Sequence, residues 1–277
     1  MAKQIPAPRF EIPADEYDLG NANPFSLAGK HALVTGASEA LGRALAIGLA
    51  EAGADVSLTT WHDDIGEETR CSLLLDDVKA LGRRGAMATV DLTDPVKVTT
   101  AVGAIEATVA PIDILVNAQH GANIKAVADA TVAEWRRELE RNATSVFVTC
   151  KVVGRGMVLR GYGRIVNLVS VLHDRAVPNA AIFAASQGAV LGFTKSLGVE
   201  WGRSGVTVNA LGVGFYDDVP GVQADEEVHA ILEKYIPLRR LGRPEDLQGA
   251  LVYLCSDAAA FMGSEMVTVD GAIQVHA

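Results

Sequence analysis

The sequence predicts one α/β domain built on a doubly wound, seven-stranded parallel sheet. From residue 30 onward, short aliphatic and β-branched runs alternate with amphipathic or Ala/Leu-rich helical stretches. The short runs are continuously apolar, which is typical of parallel strands covered by helices on both faces. With 277 residues, of which 49% are hydrophobic and 21% charged, the chain can bury a core of this size.

The predicted elements follow one another in strand–helix order. Helices are expected over Leu41–Ala52 and Val96–Val109, among others. Right-handed crossovers would give a Rossmann-like sheet, whose ligands bind at the carboxyl ends of the strands. The predicted strands are His31–Thr35, Asp55–Thr60, Ala86–Val90, Asp113–Asn117, Gly163–Ser170, Val206–Leu211 and Met266–Val269.

The N-terminal region, residues 1–24, holds four of the ten prolines and shows neither a helical nor a strand period. We expect an extended arm here, either a disordered tail or a strap across a neighbouring subunit. Residues 25–277 form the predicted domain, without an internal repeat.

Composition restricts the partners and the compartment. The net charge of −10 argues against nucleic acid and anionic membranes as partners. No apolar run approaches the roughly 18 residues that span a bilayer, and the N-terminus lacks the order of a signal peptide. Cys71, Cys150 and Cys255 show neither metal nor redox spacing. This pattern predicts reduced thiols, no metal site and a cytoplasmic protein.

The first predicted strand runs into a glycine-containing turn, residues 35–42, which precedes a helix. Backbone N–H groups of such a turn can bind a pyrophosphate. The second strand ends at Thr60, where an acid usually binds the ribose of NAD and an arginine the phosphate of NADP. Neither is present, but the nearby acids Glu39, Asp63 and Asp64 would repel a 2′-phosphate. The sequence therefore favours NAD over NADP, with no cofactor at all as the alternative.

A further pattern runs through the second half of the chain. Asn142 lies in Glu-Arg-Asn-Ala-Thr, and Ser170 ends the fifth predicted strand. Thirteen residues after Ser170 comes Phe-Ala-Ala-Ser-Gln, residues 183–187. Together with the glycine turn, this pattern resembles the single-domain short-chain dehydrogenase/reductase family over residues 25–273. The gluconate 5-dehydrogenase-like and 3-oxoacyl reductase-like members are the most similar.

The resemblance implies a nicotinamide-dependent oxidoreductase whose acid–base pair has been replaced. The family's Tyr-x-x-x-Lys motif begins with the proton donor and ends with the ammonium that lowers its pKa. Phe183 and Gln187 stand at those positions, and a phenyl ring has no proton to give. Ser170 matches the residue that polarises the substrate, and Asn142 the one that holds a water. His173, three residues after Ser170, is a candidate substitute group.

The resemblance also identifies cofactor contacts and departures from the family pattern. Ala40 and His120 replace glycines, Val213 replaces a proline and Asp218 replaces a threonine. His120 is either a surface-loop histidine or a group that contacts a ligand or blocks the cofactor. The implied cofactor contacts are Gly36, Ser38, Leu41, Gly42, Thr60, Asp91, Leu92, Asn117, Ala118 and Gly214.

Three functions are compatible with these residues. The first is a family member impaired in redox catalysis that serves as a structural or regulatory subunit. The second is an NAD(P)-dependent oxidoreductase on a sugar, alcohol or oxoacyl substrate that uses a substitute acid. The third is lyase- or hydrolase-type chemistry, in which Ser170, His173 and Asp218 would converge.

An oligomer is also implied by the resemblance. In the family, the helices that correspond to residues 131–154 and 179–202 pair across a two-fold axis. Here they carry Val146, Phe147, Leu191 and Phe193, which we expect to form an apolar surface. The expected assembly is a homo-tetramer, or a hetero-oligomer with an active paralogue, which can bind a small-molecule ligand.

Overall fold

All seven strands form one parallel sheet. The structure is a computed structural model that describes residues 23–61, 65–122, 124–217 and 226–276. The strand order is β3-β2-β1-β4-β5-β6-β7, and each neighbouring pair is parallel. The chain therefore winds outward from β1 to β3 and then continues on the other side of β1. This confirms the predicted doubly wound sheet.

The strands lie close to the predicted positions. β3 is shorter than expected and β6 is two residues longer, because Val213 pairs with both Ser170 and Val269. Gly212 lies inside β6, where a Cβ would be 2.4 Å from Met266; glycine here permits the close approach of β7. The strands are β1 His31–Thr35, β2 Asp55–Thr60, β3 Met87–Thr89, β4 Ile114–Asn117, β5 Gly163–Ser170, β6 Val206–Val213 and β7 Met266–Val269.

Local signals explain where several helices begin. Asp94 caps α3 by accepting hydrogen bonds from Val96 N and Lys97 N. Thr131 and Glu134 form a capping box at the start of α4. A π-helical segment, residues 140–144, joins α4 to α5. The helices are α1 Ala40–Glu51, α2 Ile65–Ala80, α3 Pro95–Thr108, α4 Val132–Leu139, α5 Ser145–Arg160, α6 Ala181–Trp201, α7 Glu226–Tyr235 and α8 Gln248–Cys255.

Apolar cores cover both faces of the sheet. Residues of α1, α2 and α8 pack on one face, and residues of α3, α5 and α6 pack on the other. All five residues of β1 and all eight of β5 are buried, as expected for central strands between two helical layers. A ligand can therefore reach these strands only through the loops that follow their carboxyl ends.

Several predictions concern surfaces and segments outside this core. Val146 was expected on an apolar surface, but it is only 3% exposed and belongs to the core. Phe147 is exposed, and its ring meets that of Phe193 at a centroid distance of 5.9 Å. Residues 1–22 of the predicted arm, together with Asp63, Asp64 and Asp218, lie outside the described residues.

Within the described part of the chain, no helix combines the length and apolarity that crossing a bilayer would require. The three cysteines are buried and unpaired. Burial raises the pKa of the Cys71 thiol to about 11 and that of Cys150 to about 12. The described residues also contain no cluster of three potential metal-binding side chains.

Candidate active site

The glycine turn lies where the sheet reverses its order, between β1 and β4. Gly36 has a φ of +67°, and a Cβ on it would be 2.7 Å from the backbone nitrogen of Gln119. A Cβ on Gly42 would be 2.2 Å from the carbonyl oxygen of Gly36. Both positions therefore need glycine. Ligands of doubly wound sheets bind at this kind of switch point.

The start of α1 fits a pyrophosphate. The N-cap residue Glu39 makes no side-chain capping hydrogen bond, so its carboxylate leaves the first N–H groups of α1 open to an anion. The Ser38 hydroxyl is buried and has no partner among the described residues. An oxygen of a bound pyrophosphate would satisfy this hydroxyl, whose burial is otherwise unfavourable. The Leu41 side chain belongs to the core, so any cofactor contact at this residue would be through its backbone.

The end of β2 carries a carboxylate that its linear sequence does not reveal. The Thr60 hydroxyl donates to Thr89 Oγ1 at 3.0 Å, so it is engaged within the sheet. The backbone nitrogen of Trp61 donates to Glu67 Oε2 at 2.9 Å, and Glu67 is only 6% exposed. Arg70 adds a cation nearby, with Nε donating to the carbonyl oxygen of Ser38. An acid therefore does lie where adenosine ribose would be expected.

The loop after β3 is held by its own hydrogen bonds. The Asp91 carboxylate accepts from Thr93 N at 2.9 Å and from the Thr93 hydroxyl at 2.6 Å. Leu92 and Ala118 are each 1% exposed. These two residues could meet a dinucleotide only through their backbones.

A buried polar network fixes the end of β4. Asn117 Nδ2 donates to Asn167 Oδ1 at 2.8 Å, and Asn117 Oδ1 accepts from the Thr149 hydroxyl at 2.7 Å. The Thr35 hydroxyl donates to Gln119 Oε1 at 2.7 Å. Gln119 thus links the glycine turn to β4. No sequence pattern predicts this role of Gln119, since only the fold brings Thr35 and Gln119 together.

Asn142 lies in the π-helical segment, a type of helix distortion that is frequent at functional sites. Its Nδ2 donates to Glu138 Oε1 at 2.9 Å, to the Gly121 carbonyl at 3.0 Å and to the Ser186 hydroxyl at 3.2 Å. Its Oδ1 is buried and has no partner among the described residues. This atom has a lone pair available for a water, and the water-holding role implied by the resemblance stays a prediction.

Phe183 and Gln187, at the positions that the resemblance assigns to the acid–base pair, lie on α6. Phe183 and Gln187 are 2% and 1% exposed. Gln187 Oε1 accepts a hydrogen bond from the backbone nitrogen of Ser170 at 2.9 Å. Ser170 Oγ accepts from Leu172 N at 3.2 Å, which leaves the Ser170 O–H proton available to a ligand. The glutamine therefore holds the backbone of the residue that would polarise a substrate.

His120 occupies the space next to Phe183. The two rings meet edge to face, with centroids 5.4 Å apart. His120 Nδ1 is buried without a partner among the described residues, and burial lowers the imidazole pKa to about 4. The imidazole is therefore neutral above that pH. His120 was expected to be either a surface-loop histidine or a group that contacts a ligand or blocks the cofactor. Its contact with the buried Phe183 ring favours the second alternative.

The geometry gives no support to a Ser–His pair. His173 Nδ1 is 2.9 Å from the carbonyl oxygen of Ser170, so the ring binds the backbone of that residue. Asp218, the third member of the predicted group, lies outside the described residues. Gly214 follows β6, and a Cβ there would be 2.7 Å from Asp270.

A cavity of about 490 Å³ opens over these groups. Its lining includes the buried residues Ser170 and Phe183, together with His120, whose ring contacts Phe183. Its sides come from the loop after β5, the backbone after β6, helix α7 and Ile273. The size is within the usual range for small-molecule sites, about 300–1,000 Å³. Among the described residues, none of the turn residues 35–42 lines the cavity, but its lining residue His120 directly follows Gln119, whose backbone nitrogen lies against Gly36.

Known proteins share this architecture over nearly the whole chain. A family model described as enoyl-(acyl carrier protein) reductase matches residues 36–273. The gluconate 5-dehydrogenase of Gluconobacter oxydans is 36% identical over 259 residues, which is 93% of this chain and 99% of that protein. A 3-oxoacyl-[acyl-carrier-protein] reductase of Vibrio cholerae is 36% identical over 247 residues, or 89% of this chain and 98% of that one.

A solved structure agrees with these relatives. The gluconate 5-dehydrogenase of Burkholderia cenocepacia, in complex with NADP and tartrate, superposes with a TM-score of 0.85 at 31% identity. The match covers 92% of this chain and 98% of that one. The glycine turn, the strand order and these matches agree, and the chain belongs to the short-chain dehydrogenase/reductase family.

Proposed function

We propose that the protein is an NAD(P)-dependent oxidoreductase that slowly interconverts an alcohol and a ketone without a tyrosine proton donor. The observation that supports this proposal is a cavity lined by Ser170 and His120, in a chain whose first turn keeps Gly36 and Gly42. The relatives named gluconate 5-dehydrogenase and 3-oxoacyl reductase support the reaction class.

The chain's own groups divide the work between binding and proton handling. Gly36, Ser38 and the N-terminus of α1 would hold the pyrophosphate, while the bound nicotinamide would supply or accept hydride. The Ser170 hydroxyl would donate a hydrogen bond to the carbonyl oxygen and keep its proton. In oxidation, neutral His120 would take the proton of the alcohol, and in reduction the imidazolium, protonated from solvent, would return it. A group with a pKa of about 4 is a weak base and is seldom protonated near neutral pH, so both directions are slow.

A slow reaction follows from the replaced pair. A positioned acid contributes about 10²–10⁴-fold in rate, and Phe183 cannot supply one. Gln187 also lacks the charge that would lower the pKa of a neighbouring acid. We therefore expect turnover well below that of relatives that carry the Tyr/Lys pair.

The preference for NAD is part of the same proposal. The buried Glu67 carboxylate lies beside the end of β2, where it would bind a ribose hydroxyl and repel a 2′-phosphate. Arg70 acts in the opposite direction, because its guanidinium would attract that phosphate. The ratio of the dissociation constants of NADH and NADPH measures the balance, and Glu67→Gln should shift it toward NADPH.

A second candidate function is a structural or regulatory subunit without turnover. It is favoured by the Gln187–Ser170 hydrogen bond, which satisfies position 187 without any cation. This reading also suits an oligomer, for which the exposed Phe147 on α5 offers apolar surface.

Binding and turnover measurements separate the two candidates. NADH and NADPH are titrated by fluorescence, and absorbance at 340 nm follows turnover with a panel of alcohols and ketones. Ser38→Ala should weaken NADH binding, whereas Ser72→Ala, an exposed serine on α2, should not. Binding with turnover supports the oxidoreductase, and binding without turnover supports the subunit. Failure of both dinucleotides to bind overturns the first proposal.

A further inference from the structure

The cavity beside Ser170 is lined mainly by apolar side chains. Ile124, Leu172 and Val177 line it from the loops after β4 and β5, while Phe183, Phe215 and Leu232 line it from α6, the segment after β6 and α7. No carboxylate is among the described lining residues. Such a wall binds ligands by removing apolar surface from water, and it offers few hydrogen bonds.

Two of the polar groups around the cavity are already engaged by the protein. Tyr216 Oη donates to the carbonyl oxygen of Val269 at 2.7 Å. Arg175 Nη1 donates to the carbonyl oxygens of Ile273 and His276 near the C-terminus, while the N–H groups on Nη2 and Nε take no part in these two bonds. A polyhydroxylated sugar acid would therefore bury several hydroxyl groups with few partners, which is unfavourable.

The polar lining side chains differ in burial. Ser170 is 4% exposed and His120 packs against the buried ring of Phe183, whereas Tyr235 is 53% exposed and the apolar Val177 and Ile124 are 38% and 56% exposed. A ligand that fits this pattern carries one hydroxyl or keto group at its inner end. The rest of the molecule would be hydrocarbon.

We propose that the cavity binds an uncharged, largely apolar alcohol or ketone, with its oxygen at Ser170 and His120. The inference extends the proposed oxidoreductase function by naming its substrate class. It separates this protein from its relatives that are named for gluconate, because their substrate is a polyhydroxylated acid. The volume of about 490 Å³ accommodates a chain or ring system of this kind.

A homologous series of ligands tests the apolar wall directly. Binding of 2-butanone, 2-hexanone and 2-octanone is measured by calorimetry on the full chain, once without cofactor and once with saturating NADH. Each added methylene should tighten binding about fourfold if it is buried in the cavity. D-gluconate and 5-keto-D-gluconate should bind more weakly than 2-octanone under both conditions. A flat series, or tighter binding of either sugar acid, overturns the proposal.

A matched pair of variants locates the site. Ile124→Asp places a charge on an exposed lining residue and should weaken 2-octanone binding at least about tenfold, since a bound hydrocarbon would desolvate the carboxylate. Val96→Asp changes an apolar residue that is 73% exposed on α3, outside the cavity, and should leave binding unchanged. If both variants change the affinity for 2-octanone equally, the ketone does not bind in this cavity, and the proposal is wrong. The ketones are also measured without NADH, so the test of the apolar cavity does not depend on dinucleotide binding. Failure of NADH to bind would contradict the proposed function but leave the ketone-binding result unchanged.

Discussion

Restoring the family's acid–base pair should recover catalysis at a measurable cost in stability. The double variant Phe183→Tyr/Gln187→Lys places a phenol in the lining of the cavity and an ammonium next to Ser170. Gln187 now accepts a hydrogen bond from the Ser170 backbone nitrogen at 2.9 Å and is only 1% exposed. A lysine cannot accept that bond, so the Ser170 N–H must find another partner or remain unsatisfied.

The structure sets the size of the stability effect. An unsatisfied buried N–H costs about 1–3 kcal/mol, which corresponds to a fall in Tm of roughly 2–4 °C per kcal/mol for a domain of about this size. Gln187→Met is the matched control, because it removes the same acceptor without introducing a charge. We expect Gln187→Met to lower Tm by about 2–12 °C, and Gln187→Lys to lower it at least as much.

Catalysis should respond to the pair and not to the single variants. A tyrosine without the neighbouring ammonium keeps a pKa of about 10, so Phe183→Tyr alone should change turnover little. Gln187→Lys alone should mainly increase NADH affinity. The double variant should raise ketone reduction by about 10²–10⁴-fold over the parent. If none of the three variants binds NADH more tightly than the parent, the cleft no longer accommodates the nicotinamide half, and the reasoning is wrong.

Three further predictions concern charge, thiols and assembly. Burial lowers the pKa of His120 from 6.5 to about 4 in the folded state. The unfolded chain therefore takes up this proton more readily, so the free energy of unfolding is at its full value above about pH 6.5 and decreases as the pH falls toward 4. In urea unfolding experiments, the free energy of unfolding of the parent should therefore fall by about 1–2 kcal/mol more between pH 7 and pH 5 than that of His120→Asn. Equal decreases in the two proteins would contradict this prediction. Cys71, Cys150 and Cys255 are buried with raised thiol pKa values, so a thiol reagent should label them only on unfolding, and rapid labelling of the native protein would contradict their burial. Light scattering should show an oligomer at micromolar concentration that Phe147→Lys weakens, and a monomeric parent would refute it.

The sheet could be predicted because its signal is local. β1, β2, β5 and β7 begin and end where their apolar runs do. β6 was predicted to end at Leu211, but it continues to Val213. Glycine is unfavourable inside a strand, so Gly212 is typical of a strand end in the sequence. In the structure that glycine serves the close pairing with β7, a contact that only the folded chain reveals.

The site was predictable where sterics dictate residue types, and much less so where distant segments meet. Gly36 and Gly42 indicate the turn in the sequence, because a Cβ at either position would clash with the backbone. Glu67 was missed because a helix turn brings it back onto the end of β2. Arg175 was missed as well, because its carbonyl partners lie about a hundred residues further along the chain. No periodicity records contacts of that kind.

The two halves of the cleft should differ in their contribution to dinucleotide affinity. The pyrophosphate half keeps Gly36, Gly42 and a Ser38 hydroxyl that has no partner among the described residues, whereas in the nicotinamide half Gln187 stands where the resemblance implies a lysine that would hold the ribose. ADP-ribose, which lacks the nicotinamide, should therefore bind within about threefold of NADH, a difference below about 0.7 kcal/mol. Competition of ADP-ribose against NADH fluorescence measures this ratio, and Phe183→Tyr/Gln187→Lys should widen it in favour of NADH. If the parent binds NADH at least tenfold more tightly than ADP-ribose, Gln187 and its neighbours still bind the nicotinamide half. The slow turnover would then have to come from proton transfer alone.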